Sequence, residues 1–281
     1  MLKYVALLGM SLAGMLTSPA LAADADNGAK PWQLGFQEPA SPVMERLDSL
    51  HTDLTITVTI ITLFVLALLG YIVMRFRAEK NPNPSKTTHN TLLEIVWTVI
   101  PVLILVGIAI PSLKLHYFMD KAEEPEMTLK VIGYQWYWNY SYPDHGDFAF
   151  DSYMVQEKDL KPGEPRLLKT DNPVVVPVDT VIQVDITGGD VLHAWAMPGF
   201  GVKKDAVPGR LNSTWFKANR TGTFYGQCSE LCGVKHGFMP IEVKVVSKEE
   251  FNAWTQIAKE QFAEHGTVNP QLALTQLEQT Q

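Results

Sequence analysis

Two long stretches of this sequence contain no charge, and they constrain the fold more than any other feature. Leu54 to Met74 runs for 21 positions without a charged residue, and Ile95 to Leu113 runs for 19. Each matches the roughly 20 apolar residues a helix needs to cross the hydrocarbon core of a bilayer. The polar link between them is short, so the pair reads as a transmembrane helical hairpin over residues 51–118. Thr55, Thr57, Thr59 and Thr62 fit such a helix, because a helical threonine bonds back to its own backbone. Pro101 and Pro111 predict a bend and an end in the second helix.

Orientation follows from the link. Arg75, Arg77, Lys80 and Lys86 crowd it, and positive residues stay on the cytoplasmic side. Everything before the first span and after the second then lies outside. The chain start agrees: Lys3, an apolar Tyr4–Leu16 and the small-x-small run Ala20-Leu21-Ala22 read as a signal peptide over 1–22. Residues 23–50 read as an exported polar arm. The formal charge of −7 argues against a nucleic-acid partner.

From about residue 119 the texture changes. Short β-branched and aromatic runs alternate with Pro, Gly and Asp, as in "MTLKVIGYQWYWNYSY" and "NPVVVPVDTVIQVDITGGD". This predicts an all-β sandwich over 119–247. "YQWYWNYSY" reads as one strand, with Tyr134, Trp136, Trp138 and Tyr140 on one face and Gln135, Tyr137 and Asn139 on the other. Ser247-Lys-Glu-Glu250 is a capping box opening a helix over about 248–264, with a flexible tail to 281.

Both cysteines of the chain fall in "GQCSELCGVKHGFMP", residues 226–240. A disulfide suits an oxidising compartment, but a bridge over so short a loop has a small entropic benefit. It also leaves His236 and Met239 unexplained. Thiolate, imidazole and thioether are soft or borderline ligands that suit copper. Zinc takes Cys and His as well, but methionine is a poor zinc ligand. A second imidazole has to come from elsewhere, and His193 follows a Gly-Gly-Asp turn in "GGDVLHAWAMPGF". Two thiolates, two imidazoles, a thioether and a carbonyl suit two coppers bridged by both sulfurs. Such a centre relays electrons, since it keeps no open coordination position.

The cysteine loop, "DVLHAWAMP", "YQWYWNYSY" and the two-helix front together resemble cytochrome c oxidase subunit II over about residues 40–255. The resemblance implies a cupredoxin-like sandwich with a short C-terminal helix, carrying a binuclear copper (CuA) centre. Its ligands are then His193, Cys228, the Glu230 backbone carbonyl, Cys232, His236 and Met239. It also implies that the Glu230 carboxylate binds Mg or Mn shared with the large haem-copper subunit I. Trp136 becomes the residue where an electron from cytochrome c arrives, and Asp144, Asp147, Asp151 and Asp190 an acidic docking rim. Ser141 and Gly146 stand where relatives are acidic, which thins that rim. Glu94 becomes the mouth of a proton path, beside a local reading in which Thr91-Leu-Leu-Glu94 is only a capping box. The expected setting is a bacterial inner membrane, with the copper domain periplasmic and the lipid bilayer, subunit I and other oxidase subunits as partners. In that setting the complex reduces dioxygen to water and couples this to proton translocation. No Cys-x-x-Cys-His haem attachment sequence is present, so no cytochrome domain is expected in the chain. The alternative is a membrane-anchored copper chaperone, which also uses Cys-x3-Cys with a distant His. Chaperones of that kind have a thioredoxin-like fold, which the β-rich pattern disfavours.

Overall fold

The computed structural model describes residues 27–120 and 124–262. The expected signal peptide, the start of the arm and the tail after residue 262 lie outside the described residues. Two helices come first, α1 (Pro42–Arg75) and α2 (Thr91–Asp120). Their apolar side chains face outward: the most apolar stretch of each helix has none of its residues buried. A water-exposed surface of that size is untenable, and a lipid or membrane-protein environment resolves it. The threonine back-bonds form as expected. Thr55 Oγ1 donates to His51 O at 2.8 Å and Thr59 Oγ1 to Thr55 O at 2.7 Å, and Thr57 and Thr62 donate likewise to Asp53 and Val58.

Three helix boundaries differ from the sequence expectation. α1 starts at Pro42, inside the stretch read as an arm, because Ser41 caps it and proline takes the first turn. α2 runs through Pro111 to Asp120, since a spanning helix tolerates proline where neighbouring groups compensate. The cap of α2 is Asn90 and not Thr91: Asn90 Oδ1 accepts from Leu93 N at 3.1 Å, and Glu94 Oε1 reaches back to Asn90 N at 3.4 Å.

The rest is a sandwich of two five-stranded sheets. Its strands are β1 (Met127–Tyr134), β2 (Tyr137–Tyr142), β3 (Phe148–Ser152), β4 (Val174–Pro177) and β5 (Ile182–Gly188). They continue with β6 (His193–Met197), β7 (Val202–Ala206), β8 (Asn212–Phe216), β9 (Gly222–Cys228) and β10 (Pro240–Val246). One sheet has the order β3-β2-β1-β5-β8 and the other β4-β10-β9-β6-β7. Only the β1–β5 and β4–β10 ladders are parallel among these pairings. The strand faces alternate, so that Leu129, Val131, Trp138, Tyr140, Val184 and Ile186 meet Trp195, Met197, Phe224 and Val243 in the core. Helix α3 (Lys248–Phe262) closes one end and packs Trp254 against Tyr142 and Phe148, and Phe251 against His145 in the turn between β2 and β3. Its predicted capping box forms in both directions, Ser247 N to Glu250 Oε2 at 3.0 Å and Glu250 N to Ser247 Oγ at 3.1 Å.

"YQWYWNYSY" is not one strand. It folds back as a hairpin, with Tyr134 paired to Tyr137 and Gln135-Trp136 forming the turn. The turn lacks the Gly, Asn or Asp that usually marks a two-residue hairpin, so the alternation reads straight through it. Trp138, Tyr140 and Tyr142 keep the inward face, whereas Trp136 leaves it for the turn.

The hairpin is clamped to the sandwich. Ser41 Oγ donates to Phe200 O at 2.7 Å while accepting from Met44 N at 3.0 Å. Trp215 Nε1 donates to Phe118 O at 3.1 Å, and the Arg46 guanidinium lies 3.5 Å from the Phe118 ring centre. Gly201 takes a left-handed φ of +69°, and a Cβ there would come 3.1 Å from Met44 Cα. Ser41→Ala removes both a helix cap and a buried hydrogen bond. It is expected to destabilise the full chain in detergent by about 2 kcal/mol. Thermal unfolding followed by near-ultraviolet circular dichroism reads this; an unchanged midpoint would contradict the clamp.

Candidate metal centre

The centre is assembled by strand ends. Cys228 is the last residue of β9 and Pro240 the first of β10. These strands pair antiparallel with Pro240 opposite Gln227, so the loop 229–239 must return to its starting point. That brings Cys228, Cys232, His236 and Met239 together at one end of the sandwich. His193 opens β6, and β6 lies beside β9 with Trp195 opposite Cys228. Its imidazole therefore reaches the same spot from a different part of the chain.

The two sulfurs are the hub. Cys228 Sγ and Cys232 Sγ lie 3.9 Å apart, far beyond the ~2.05 Å of a disulfide, and both thiols are free. Cys228 Sγ has His193 Nδ1 at 3.9 Å and the Glu230 carbonyl oxygen at 3.4 Å. Cys232 Sγ has His236 Nδ1 at 3.6 Å and Met239 Sδ at 3.5 Å. Each sulfur thus carries one imidazole nitrogen and one weaker donor. The separation also fits shared ions: with metal–sulfur bonds of about 2.3 Å, two thiolates on one metal are at most ~4.6 Å apart.

The surroundings hold these atoms in place. His193 is fully buried, and its Nε2 lies 2.9 Å from Asp190 Oδ1. That contact fixes which ring nitrogen faces the sulfur. Asp190 also accepts from Val191 N at 2.6 Å and from Gln135 N at 2.7 Å, tying the imidazole to the hairpin turn. Buried Trp138 donates from Nε1 to Met239 O at 3.2 Å. Gly133 is required sterically, because a Cβ there would meet the His193 ring at 2.9 Å.

Electrostatics separate the two thiols. Burial pushes Cys228 upward, but hydrogen bonds with His193 and with the backbone at Ala194 and Glu230 outweigh it, so its pKa falls below the ordinary thiol value. Burial and the charge of Cys228 push Cys232 up. Burial opposes protonation of His193, yet Cys228 and Asp190 hold its pKa above normal. Asp190 is shifted upward by burial and downward, more strongly in sum, by His193, Gln135 and Val191. The site favours a thiolate at Cys228, the form that binds metal.

Trp136 sits beside the loop, partly buried. Its Nε1 donates to Cys232 O at 3.3 Å, and the Gln135 side chain donates to the same oxygen at 2.7 Å. Gly233, at φ +120°, makes room for the Trp136 ring; a Cβ there would come 3.1 Å from it. An open pocket of about 340 Å³, lined by Trp136, Tyr153, Met154, Gln156, Lys235 and Phe238, leads to the ring.

The four aspartates do not stand together. Asp151 lies near the Tyr134–Tyr137–Tyr153 stack, where its charge raises those phenols after burial does. Asp190 is engaged with His193. Asp144 accepts from Thr128 N at 2.6 Å, and Asp147 lies in the same turn between β2 and β3. That turn is at the opposite end of the β1–β2 hairpin from Trp136, about 20 Å away at ~3.3 Å per strand residue. The Glu230 side chain is exposed. Glu94 lies in the first turn of α2, with Asn90 as its partner. Gly133 escaped the sequence reading because only sheet packing places it against His193, and Asp190, three residues before His193, braces its ring, a role distinct from the docking expected of it.

Comparison with known proteins gives two family matches. A model described as "Cytochrome C oxidase subunit II, periplasmic domain" matches residues 127–246, and one described as the transmembrane domain of the same subunit matches residues 29–115. A probable cytochrome c oxidase subunit 2 of Rickettsia felis is 51% identical over 243 residues, covering 86% of this chain and 76% of its own. Cytochrome c oxidase subunit 2 of Phytophthora megasperma is 52% identical over 231 residues, covering 80% of this chain and 87% of its own. Among solved structures, the periplasmic domain of subunit II of cytochrome oxidase of Bradyrhizobium japonicum is 57% identical. It covers 50% of this chain and 99% of its own, with a TM-score of 0.48.

The thiol asymmetry is measurable after metal is stripped with a chelator. Raising the pH is expected to ionise one thiol below the ordinary cysteine range and the other above it, read by ultraviolet thiolate absorbance. Cys228→Ser should delete the early step and Cys232→Ser the late one. A single step at the ordinary pKa would contradict the arrangement.

Proposed function

The chain belongs to the cytochrome c oxidase subunit II family, and from that membership we propose that it is the electron-receiving subunit of its oxidase. In this reading His193, Cys228, Cys232, His236, Met239 and the Glu230 carbonyl would hold a binuclear copper centre, which would supply one-electron transfer from cytochrome c towards haem in the catalytic subunit. That partner reduces dioxygen to water, and the complex couples this to proton translocation. The observation that carries the reading is the pair of sulfurs 3.9 Å apart, each with its own imidazole nitrogen. Cys228 and Cys232 are placed so that both sulfurs could hold two coppers, which would let such a centre exchange an electron with little change at any one ligand.

The residues of this chain have distinct parts in that work. Cys228 and Cys232 would supply the two thiolates that hold the metals, with His193 and His236 as the imidazole ligands beside them. Met239 and the Glu230 carbonyl supply the weak donors, a soft set that suits copper and not calcium or magnesium. Asp190 keeps the His193 ring oriented. Trp138 and the stiff β9–β10 ladder limit movement of the ligands between redox states. Trp136 is the residue where the electron arrives, because its indole N–H bonds the carbonyl of a ligand cysteine, a path of few bonds to the sulfur. Asp151, with a share from Asp190, is the part of the acidic set close enough to guide a basic partner to this face. Asp144 and Asp147 contribute only to the longer-range field.

Two further roles rest on the family. The exposed Glu230 carboxylate offers a hard oxygen to Mg or Mn at the border with subunit I. Glu94, at the cytoplasmic end of α2, opens a proton path while serving as a helix cap. We place the chain in a bacterial inner membrane with the copper domain periplasmic; its units are a signal peptide 1–22, an arm that gives way to the hairpin at Pro42 instead of residue 51, a hairpin to Asp120, the sandwich to 247 and a helix with tail 248–281.

Copper titration of the purified chain tests the reading against a delivery role. A relay retains two coppers per chain against competing thiols, whereas a chaperone gives up one to an acceptor. Trp136→Ala is expected to slow oxidation of cytochrome c by the assembled oxidase in stopped flow while leaving the copper absorption bands unchanged. An unaltered rate would reduce Trp136 to a packing residue.

A further inference from the structure

The segment before α1 forms a loop pinned at its base and bare at its tip. Asn27 accepts from Arg220 Nη2 at 2.9 Å and donates to Thr223 O at 3.2 Å. Arg220 Nη1 also donates to Pro39 O at 2.6 Å, so one guanidinium holds both ends. Lys30 and Glu38 face each other across the neck at 4.0 Å. Between them "PWQLGFQ", residues 31–37, carries no charge. Trp32 is 99% exposed and Leu34 97%. The polar Gln33 is satisfied inside the loop, accepting from Lys30 N at 3.0 Å and donating to Phe36 O. The loop therefore keeps its shape by hydrogen bonds at the base and presents its apolar side chains outward, the reverse of a loop built for water.

Its height relative to the bilayer is fixed by α1. The Phe36 ring packs on His51, with centroids 4.4 Å apart. His51 is three residues above Leu54, where the charge-free run begins, or about 4.5 Å at 1.5 Å per residue. The headgroup layer on each side of the hydrocarbon is roughly 5–8 Å thick, so Phe36 lies within it. Tyr117, exposed and four residues past Leu113, marks a similar level on α2. Aromatic residues concentrate at this depth.

We propose that residues 31–37 dip into the outer-leaflet interface of the lipid bilayer, with Trp32, Leu34 and Phe36 as the inserted side chains. The loop is a third contact between this chain and the membrane, beside the two spanning helices. Lipid is the occupant because Phe36, packed on His51, sits at headgroup depth three residues above the charge-free, outward-facing run of α1, and the tip beside it is uncharged and bare. By fixing the base through Arg220, the loop also holds the start of β9 at a set height above the membrane.

The test uses the resting oxidase complex, copper-loaded so that Cys228 and Cys232 are protected, in nanodiscs of zwitterionic and anionic phospholipid. Trp32→Cys and Leu34→Cys, exposed enough to be replaced without disturbing the fold, carry a nitroxide label; Lys161→Cys is the aqueous control. Power saturation compares relaxation by oxygen, which partitions into lipid, with relaxation by a water-soluble nickel chelate. Insertion predicts that labels at 32 and 34 gain oxygen relaxation and lose most of the nickel relaxation seen at 161. Nickel relaxation equal to the control places the tip in water and overturns the proposal. Protection from both agents places the tip against another protein subunit and overturns it equally.

Discussion

Two thiol sulfurs 3.9 Å apart and unbonded are the constraint on which the rest of the exported domain depends. Left to local energetics, two cysteines four residues apart in an oxidising compartment have an alternative partner in each other. Here the backbone prevents collapse. Cys228 is held in the β9 ladder, Met239 is pinned through its carbonyl by Trp138, and the Cys232 carbonyl is gripped by Gln135 and Trp136. The loop is thus fixed from both sides by the hairpin turn of the facing sheet. Asp190 extends the same device to His193, since one carboxylate accepts from the turn and contacts the imidazole. The ligands and the aromatic path to them form one braced unit.

That unit is set on a base that continues into the membrane. Residues 40–46 pack under Phe200 and Gly201, and the outer end of α2 packs against Trp215 and Lys204. The spanning hairpin and the sandwich therefore share side chains and hydrogen bonds, so the centre is carried at a defined position relative to the bilayer. Under the proposed relay role, this position would matter as much as the ligands.

Much of this was legible in the sequence, and the exceptions have physical reasons. Charge-free runs and period-two alternation depend only on near neighbours, so the hairpin and the sandwich could be read directly. The loop ligands lie within twelve positions and announce soft-metal chemistry by composition alone. His193 is 35 residues from Cys228 and joins it only through the β6–β9 register; the Gly-Gly-Asp turn hinted at it, and the family resemblance completed the set. The turn at Gln135-Trp136 was missed because its residues carry no turn signal. The acidic rim implied by the resemblance does not stand together, because a hairpin separates residues by its own length and leaves Asp144 and Asp147 far from Trp136. The Ser41-Pro42 start of α1 is written in the sequence as a cap followed by proline, but the charge-free run further on gives the stronger signal.

The most direct test of the central claim is electron paramagnetic resonance of the full chain in detergent, loaded with copper and partly oxidised. Sulfurs held apart and shared by two metals predict a hyperfine pattern from one unpaired electron spread equally over both copper nuclei, with two coppers bound per chain. A spectrum from a single isolated copper would contradict the account, as would mass spectrometry finding Cys228 joined to Cys232 with no copper retained.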